Sequence, residues 1–85
     1  MKKDIQLTYL KKATKFLKKN THILSEKQVD ALIINFIKKK YYGVEINIDY
    51  KQMQGNLSDI YRIRKGDVRI IVKVFDDTII IEAII

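Results

Sequence analysis

The C-terminal stretch constrains the fold more than any other part of the chain. Residues 60–64, 68–74 and 78–84 read as three short strands, with Lys65-Gly66 and Asp76-Asp77 as the turns between them. Two-residue turns at those dipeptides set Arg62 opposite Arg69 and Phe75 opposite Thr78, and directly paired residues share one sheet face. One face then carries Tyr61, Ile63, Val68, Ile70, Val72, Val74, Ile79, Ile81, Ala83 and Ile85, with no charge among them. Such a face has to be buried. The other face is mixed: Ile60, Arg62, Arg64, Asp67, Arg69, Ile71, Lys73, Phe75, Thr78, Ile80, Glu82 and Ile84.

The N-terminal half supplies the cover. Asp4-Ile5-Gln6-Leu7-Thr8 alternates polar and apolar, as a short strand does. Thr8 is placed to cap a helix over Tyr9–Lys19, whose apolar face is Tyr9, Ala13, Phe16 and Leu17. Asn20, tolerant of the left-handed conformation, is its expected stop. A second helix opens with a capping box, Ser25 and Gln28, and a staple, Leu24 and Val29. Val29, Leu32, Ile33, Phe36 and Ile37 give it one apolar face, Lys38-Lys39-Lys40 suits its C-terminal dipole, and Gly43 ends it. Residues 44–50 alternate and read as extended, and 51–58, with Gly55 and Asn56, as a connection. The predicted class is α+β: an N-terminal strand and a two-helix antiparallel hairpin on one face of an antiparallel sheet, with residues 1–85 as one domain.

Charge points to the partner. The net charge is +7, and residues 1–40 hold all of the excess, with eleven lysines against three acids. Residues 41–85 hold six basic residues and seven acids. A small basic domain suits nucleic acid, an acidic protein or an anionic surface. There is no cysteine, which removes disulfides and thiolate metal sites and fits a reducing cytoplasm. No apolar run approaches the ~20 residues of a membrane helix, and the N-terminus has no signal-peptide pattern.

The candidate chemistry lies on the mixed face. Arg62 and Arg69 directly opposite one another, with Arg64 beside them and Lys73 farther along, put like charges together where a sheet ordinarily avoids them. Guanidinium groups grip phosphate oxygens in pairs. The plain alternative is that the long side chains splay into water over apolar surface. Asp67, read as the partner of Arg64, and Glu82 neutralise part of the charge. Lys65, Lys73 and Lys51 are expected to add RNA contacts. His22, the only histidine, falls in the interhelical turn. Tyr41 and Tyr42 close the second helix and suit either packing or base stacking. No spacing fits a metal site, a glycine-rich phosphate loop or a nucleophile motif, so neither metal nor cofactor is expected.

Residues 53–72 contain Tyr61-Arg62-Ile63-Arg64, then Gly66-Asp67 and Arg69. This stretch, followed by Val74-Phe75-Asp76-Asp77-Thr78-Ile79-Ile80-Ile81, resembles the RelE/ParE superfamily of bacterial type II toxins. The resemblance implies an RNase-like fold, a cytoplasmic toxin and a cognate acidic antitoxin. RelE-like members cut messenger RNA in the ribosome without a metal, the 2′-hydroxyl attacking the adjacent phosphate; ParE-like members inhibit DNA gyrase instead. It also implies catalytic roles for Arg62, Arg64 and Arg69, with Arg69 stabilising the charged phosphorane. Arg62 and Arg64 stand where some members have lysine, and arginine is a poor general base near neutral pH. Members commonly continue with a basic residue and a tyrosine beyond the point where this sequence stops at Ile85. The expectation is therefore stronger RNA binding than cleavage.

Overall fold

In chain order the elements are β1 (Gln6–Tyr9), α1 (Lys11–Lys19), α2 (Glu26–Tyr42), β2 (Asp49–Gln52), β3 (Ile60–Lys65), β4 (Val68–Phe75) and β5 (Thr78–Ile84). They come from a computed structural model that describes residues 5–53 and 59–85. The expected contributions of Asp4, Gly55 and Asn56 lie outside the described residues.

The strands form one sheet in the order β1-β5-β4-β3-β2. The first and second strands occupy opposite edges, so the helical segment between them is carried across a whole sheet face. That face is the uncharged one. Ala13 and Leu17 of α1 and Val29, Ile33, Phe36 and Ile37 of α2 share a core with Tyr61, Ile63, Ile70, Val72, Ile79 and Ile81. Each buried aliphatic or aromatic side chain contributes roughly 1.5–3 kcal/mol over its exposed state. The two helices on one face of a sheet are the α+β arrangement the periodicities predict.

Several local expectations hold and others are corrected. Ser25 caps α2 with the full reciprocal box to Gln28, and Gly43 closes it at φ 67°, where a side chain would be strained. Leu24 and Val29 are both buried. The first helix starts later than predicted. Tyr9 remains in β1, paired with Ile81, and the position before α1 is Leu10, which makes no side-chain cap. Thr8 therefore lies within the strand. Asn20 ends α1 without a left-handed turn; its side-chain Nδ2 donates to the Phe16 carbonyl instead, at 2.9 Å. The extended stretch is shorter and later than 44–50: β2 covers Asp49–Gln52, so Lys51 and Gln52 belong to the sheet rather than to a connection.

The sheet is mixed rather than antiparallel, because β1 runs parallel to β5. Alternation of polar and apolar residues says nothing about strand direction. Two registers also differ from the reading. Lys65 pairs with Val68, so Gly66 and Asp67 form the turn, with Gly66 at φ 59°. Arg64, not Arg62, then faces Arg69, and Arg62 faces Ile71. The displacement is two residues, so every side chain keeps its face. The second hairpin pairs Phe75 with Thr78 as expected, then slips between Ile71 and Val72. Glu82 is the extra residue of this bulge, and past it the faces exchange: Ile84 is buried and Ile85 exposed.

Beyond its pairing with β5, β1 is fastened to α2. The Tyr9 hydroxyl donates to the Asp30 carboxylate. Burial, reinforced by that carboxylate, pushes the Tyr9 phenol above its ordinary range near 10. A raised folded pKa contributes stability below the unfolded value and loses it as pH climbs past about 10. Tyr9→Phe should therefore cost about 1–2 kcal/mol at neutral pH. Its deficit from the parent should shrink above about pH 10. Urea unfolding of both proteins across the alkaline range reads this directly. A deficit independent of pH would show that the hydroxyl contributes nothing through its proton.

Candidate functional site

The aromatic core beneath α2 positions the basic residues above it. Phe36 meets the Tyr50 ring edge-on at 5.0 Å and the Tyr61 ring at 5.2 Å. Lys40 Nζ lies 4.9 Å from the centre of the Tyr61 ring, and the neighbouring Tyr61 side chain raises the ammonium pKa. With Tyr50 and Tyr61 held on the covered side, alternation sends Asp49, Lys51 and Arg62 to the open side. Ile63 and Ile70, fully buried, do the same for Arg64 and Arg69.

The open face is then laid out in rows across the strands. Asp49, Arg64 and Arg69 form the first row and Lys51, Arg62 and Ile71 the second. Ile60, Lys73 and Ile80 form the third, and Phe75 and Thr78 the last. Arg69 exchanges both backbone hydrogen bonds with Ile85, at 2.9 and 2.8 Å. Its pairing with Arg64 is thus of the non-hydrogen-bonded kind, which brings side chains closest, at about 4.5 Å between Cα atoms. Two guanidinium groups start from neighbouring positions on the same side.

Among the described residues, one carboxylate serves Arg62 and Arg64. Asp49 Oδ2 lies 3.1 Å from Arg64 Nε, and Asp49 Oδ1 lies 3.7 Å from Arg62 Nη2. Arg64 remains half exposed. Arg62 is less so, and its Nε is buried without a hydrogen-bond partner among the described residues. A buried donor left unmade costs about 1–3 kcal/mol. Arg69 is exposed and forms no ion pair among the described residues. The cluster is electropositive, open and equipped to accept an anion with several oxygens.

The structure therefore brings together Arg62, Arg64, Arg69 and Lys51 and puts Lys73 farther along the same face. It does not bring in Lys65, which alternates to the side of Ile63 and pairs with Val68. Asp67 is an exposed turn residue and not the partner of Arg64. Asp49 takes that place. The polar positions of residues 44–50 include it, but only the pairing of β2 with β3 reveals its role. His22 is exposed between the helices, and Tyr41 and Tyr42 are exposed at the end of α2, away from the arginines.

No protein-family model matches the sequence, and no curated protein matches it. Solved structures do share its fold. A copper-bound mutant toxin from Helicobacter pylori is similar at 20% identity and a TM-score of 0.69, covering 94% of this chain and 91% of its own. A YoeB dimer from Staphylococcus aureus is similar at 19% identity and a TM-score of 0.63, covering 95% and 94%. The RelB-RelE antitoxin-toxin complex from Methanococcus jannaschii contains a chain similar at 26% identity and a TM-score of 0.60, covering 92% and 87%. The chain has the RelE-like fold of type II toxins, in agreement with the resemblance carried by residues 53–72.

Asp49 is the only counter-charge paired with Arg62 and Arg64 among the described residues. Asp49→Asn should lower stability by under about 1 kcal/mol at low ionic strength, since exposed pairs are weak. The loss should fade at about 1 M salt, where screening reaches ~3 Å. Paired urea titrations at the two ionic strengths test it. An equal loss at both would assign Asp49 a packing role instead.

Proposed function

We infer that this chain is the toxin of a toxin–antitoxin pair and acts on ribosome-bound messenger RNA as a metal-independent endoribonuclease. The observation that carries the reading is the side-by-side placement of Arg64 and Arg69, with Arg62 adjoining, on the open face of a RelE-like fold. In this reaction the RNA 2′-hydroxyl oxygen forms a bond to the adjacent phosphorus while the bond from phosphorus to the 5′-oxygen breaks. The hydroxyl proton passes to solvent water, and the departing 5′-oxygen takes a proton from water. The phosphorane between them carries an extra negative charge. Arg69, with no competing carboxylate among the described residues, is the group to stabilise it, and Arg64 is placed to share that work. Arg62 and Lys51 hold the neighbouring phosphates, and Lys73 extends the contact along the strand.

Permanently charged guanidinium groups stabilise and orient better than they remove a proton. The same site is thus expected to bind RNA well and cleave it slowly. RelE of Methanococcus jannaschii forms a complex with its antitoxin RelB. For this chain we infer an acidic antitoxin of the same kind, drawn by the net charge of +7.

Arg69→Ala and Arg64→Ala should each reduce message cleavage about 10²–10³-fold, as loss of one charge-stabilising donor does. Arg69→Ala should leave thermal unfolding unchanged, and Arg64→Ala should cost no more than the under about 1 kcal/mol of an exposed ion pair, here the one with Asp49. Primer extension on message translated with the purified chain reads the first effect. A gyrase supercoiling assay run beside it is expected to show no inhibition. Supercoiling blocked with message ends unchanged would favour the ParE-like reading and overturn this one.

A further inference from the structure

Phe75 is the most exposed aromatic side chain among the described residues, with 65% of its surface open to solvent. It belongs to neither the core nor the arginine cluster. Alternation along β4 puts Arg69, Ile71, Lys73 and Phe75 on the same open face. Six residues separate the ends of this strip, about 20 Å at ~3.3 Å per residue. That length suits a few extended nucleotides. The strip opens on a crowded pair of guanidinium groups, passes an ammonium at mid-length and ends on a bare ring. Asp76 and Asp77 follow immediately in the turn. The strip thus ends at the ring.

We propose that Phe75 is a base-stacking platform for single-stranded RNA lying along β4, whose phosphates sit on Arg64, Arg69 and Lys73. The proposal rests on the RNA-directed reading above and names a contact that reading does not contain. Cations and an exposed ring along one surface are the combination by which single strands are held without sequence readout. Stacking accepts any base because every base has a π-face, so the ring gives grip and strand placement more than sequence choice.

The test uses the whole chain and a fluorescein-labelled oligoadenylate of about six nucleotides, within the range one small domain covers. Phe75→Ala should weaken binding roughly tenfold, consistent with the loss of one stacked base. It should leave the slope of affinity against salt unchanged, because no phosphate contact is lost. Arg69→Ala should weaken binding and reduce that slope by about 0.7, the value for one phosphate on a single strand. Inorganic polyphosphate, which has no base, should bind Phe75→Ala as well as it binds the parent. The chain has no tryptophan, so Phe75→Trp supplies a single reporter. It should retain affinity, and its emission should be quenched when oligoadenylate binds.

Full affinity in Phe75→Ala together with weakened binding in Arg69→Ala would overturn the stacking role and leave the arginine site standing. Neither variant differing from the parent would overturn both. A self-association that Phe75→Ala abolishes while RNA affinity stays intact would assign the ring to a contact between copies and overturn the proposal. Unchanged thermal unfolding of Phe75→Ala is expected from its exposure, and Phe75→Trp separates loss of the ring from any loss of fold.

Discussion

Everything on the open face depends on the sealing of the other. Tyr61, Ile63, Ile70, Val72, Ile79 and Ile81 are buried against the helices, and their alternation leaves Arg62, Arg64 and Arg69 one place to go. A slip of one residue in β3 would carry Arg62 and Arg64 under α2 and turn Tyr61 and Ile63 to water. Unpaired guanidinium groups in such a core cost several kcal/mol each even after relaxation, on top of the lost apolar burial. Odd registers are thereby excluded. Even registers are not, since a slip of two keeps every side chain on its face. Turn chemistry makes the remaining choice, by giving the left-handed conformation to Gly66.

This division explains what was legible in the sequence. The faces of β3, β4 and β5 were, because alternation survives any even register. The partners across the hairpin were not. Moving Gly66 from the second to the first central position of the turn exchanges Arg62 for Arg64 opposite Arg69 and removes Asp67 from the ladder. The bulge at Glu82 leaves no local trace, because Ile79 to Ile81 before it and Ala83 to Ile85 after it are apolar at every position, and past Glu82 either phase looks buried. The boundaries of α2 were legible because Ser25, Gln28 and Gly43 carry their chemistry locally. The start of α1 was not, since Leu10 offers no cap and the alternation of Leu7 and Tyr9 runs on to the helix. Asp49 shows the limit of local reading. Its meaning depends on an edge strand formed by four residues, paired across a segment that has no periodicity of its own.

The arrangement of charge on the open face is graded from edge to centre. Asp49, on the edge strand, engages Arg62 and Arg64 and limits their splay. Arg69, one strand farther in, has no carboxylate among its described neighbours. Repulsion between Arg64 and Arg69 is tolerable in the free protein because water keeps the effective dielectric high at these half-exposed and exposed positions. A phosphate seated between them would exclude part of that water. It would meet two cations whose mutual repulsion it also removes, so the anion gains attraction and relieves strain in one step.

The two kinds of basic residue divide the electrostatic work by reach. Lys11, Lys12, Lys15, Lys18 and Lys19 crowd α1, on the covered side of the sheet, while the arginines occupy the open side. Lysine is a strongly hydrated point charge on a flexible stem; arginine is a planar fork suited to short-range recognition. At the ~8 Å screening length of physiological salt, the lysines of one side add little to the binding strength of a site on the other. They instead raise the positive potential of the molecule as a whole, which speeds encounter with any polyanion and leaves its final placement undetermined. Placement belongs to the open face, where rigid strands hold each guanidinium in register with the next. A small domain can carry so much uncompensated charge because it is divided this way. The mobile part remains hydrated on the helices, and the crowded part stands on strands whose other side is its best-packed core.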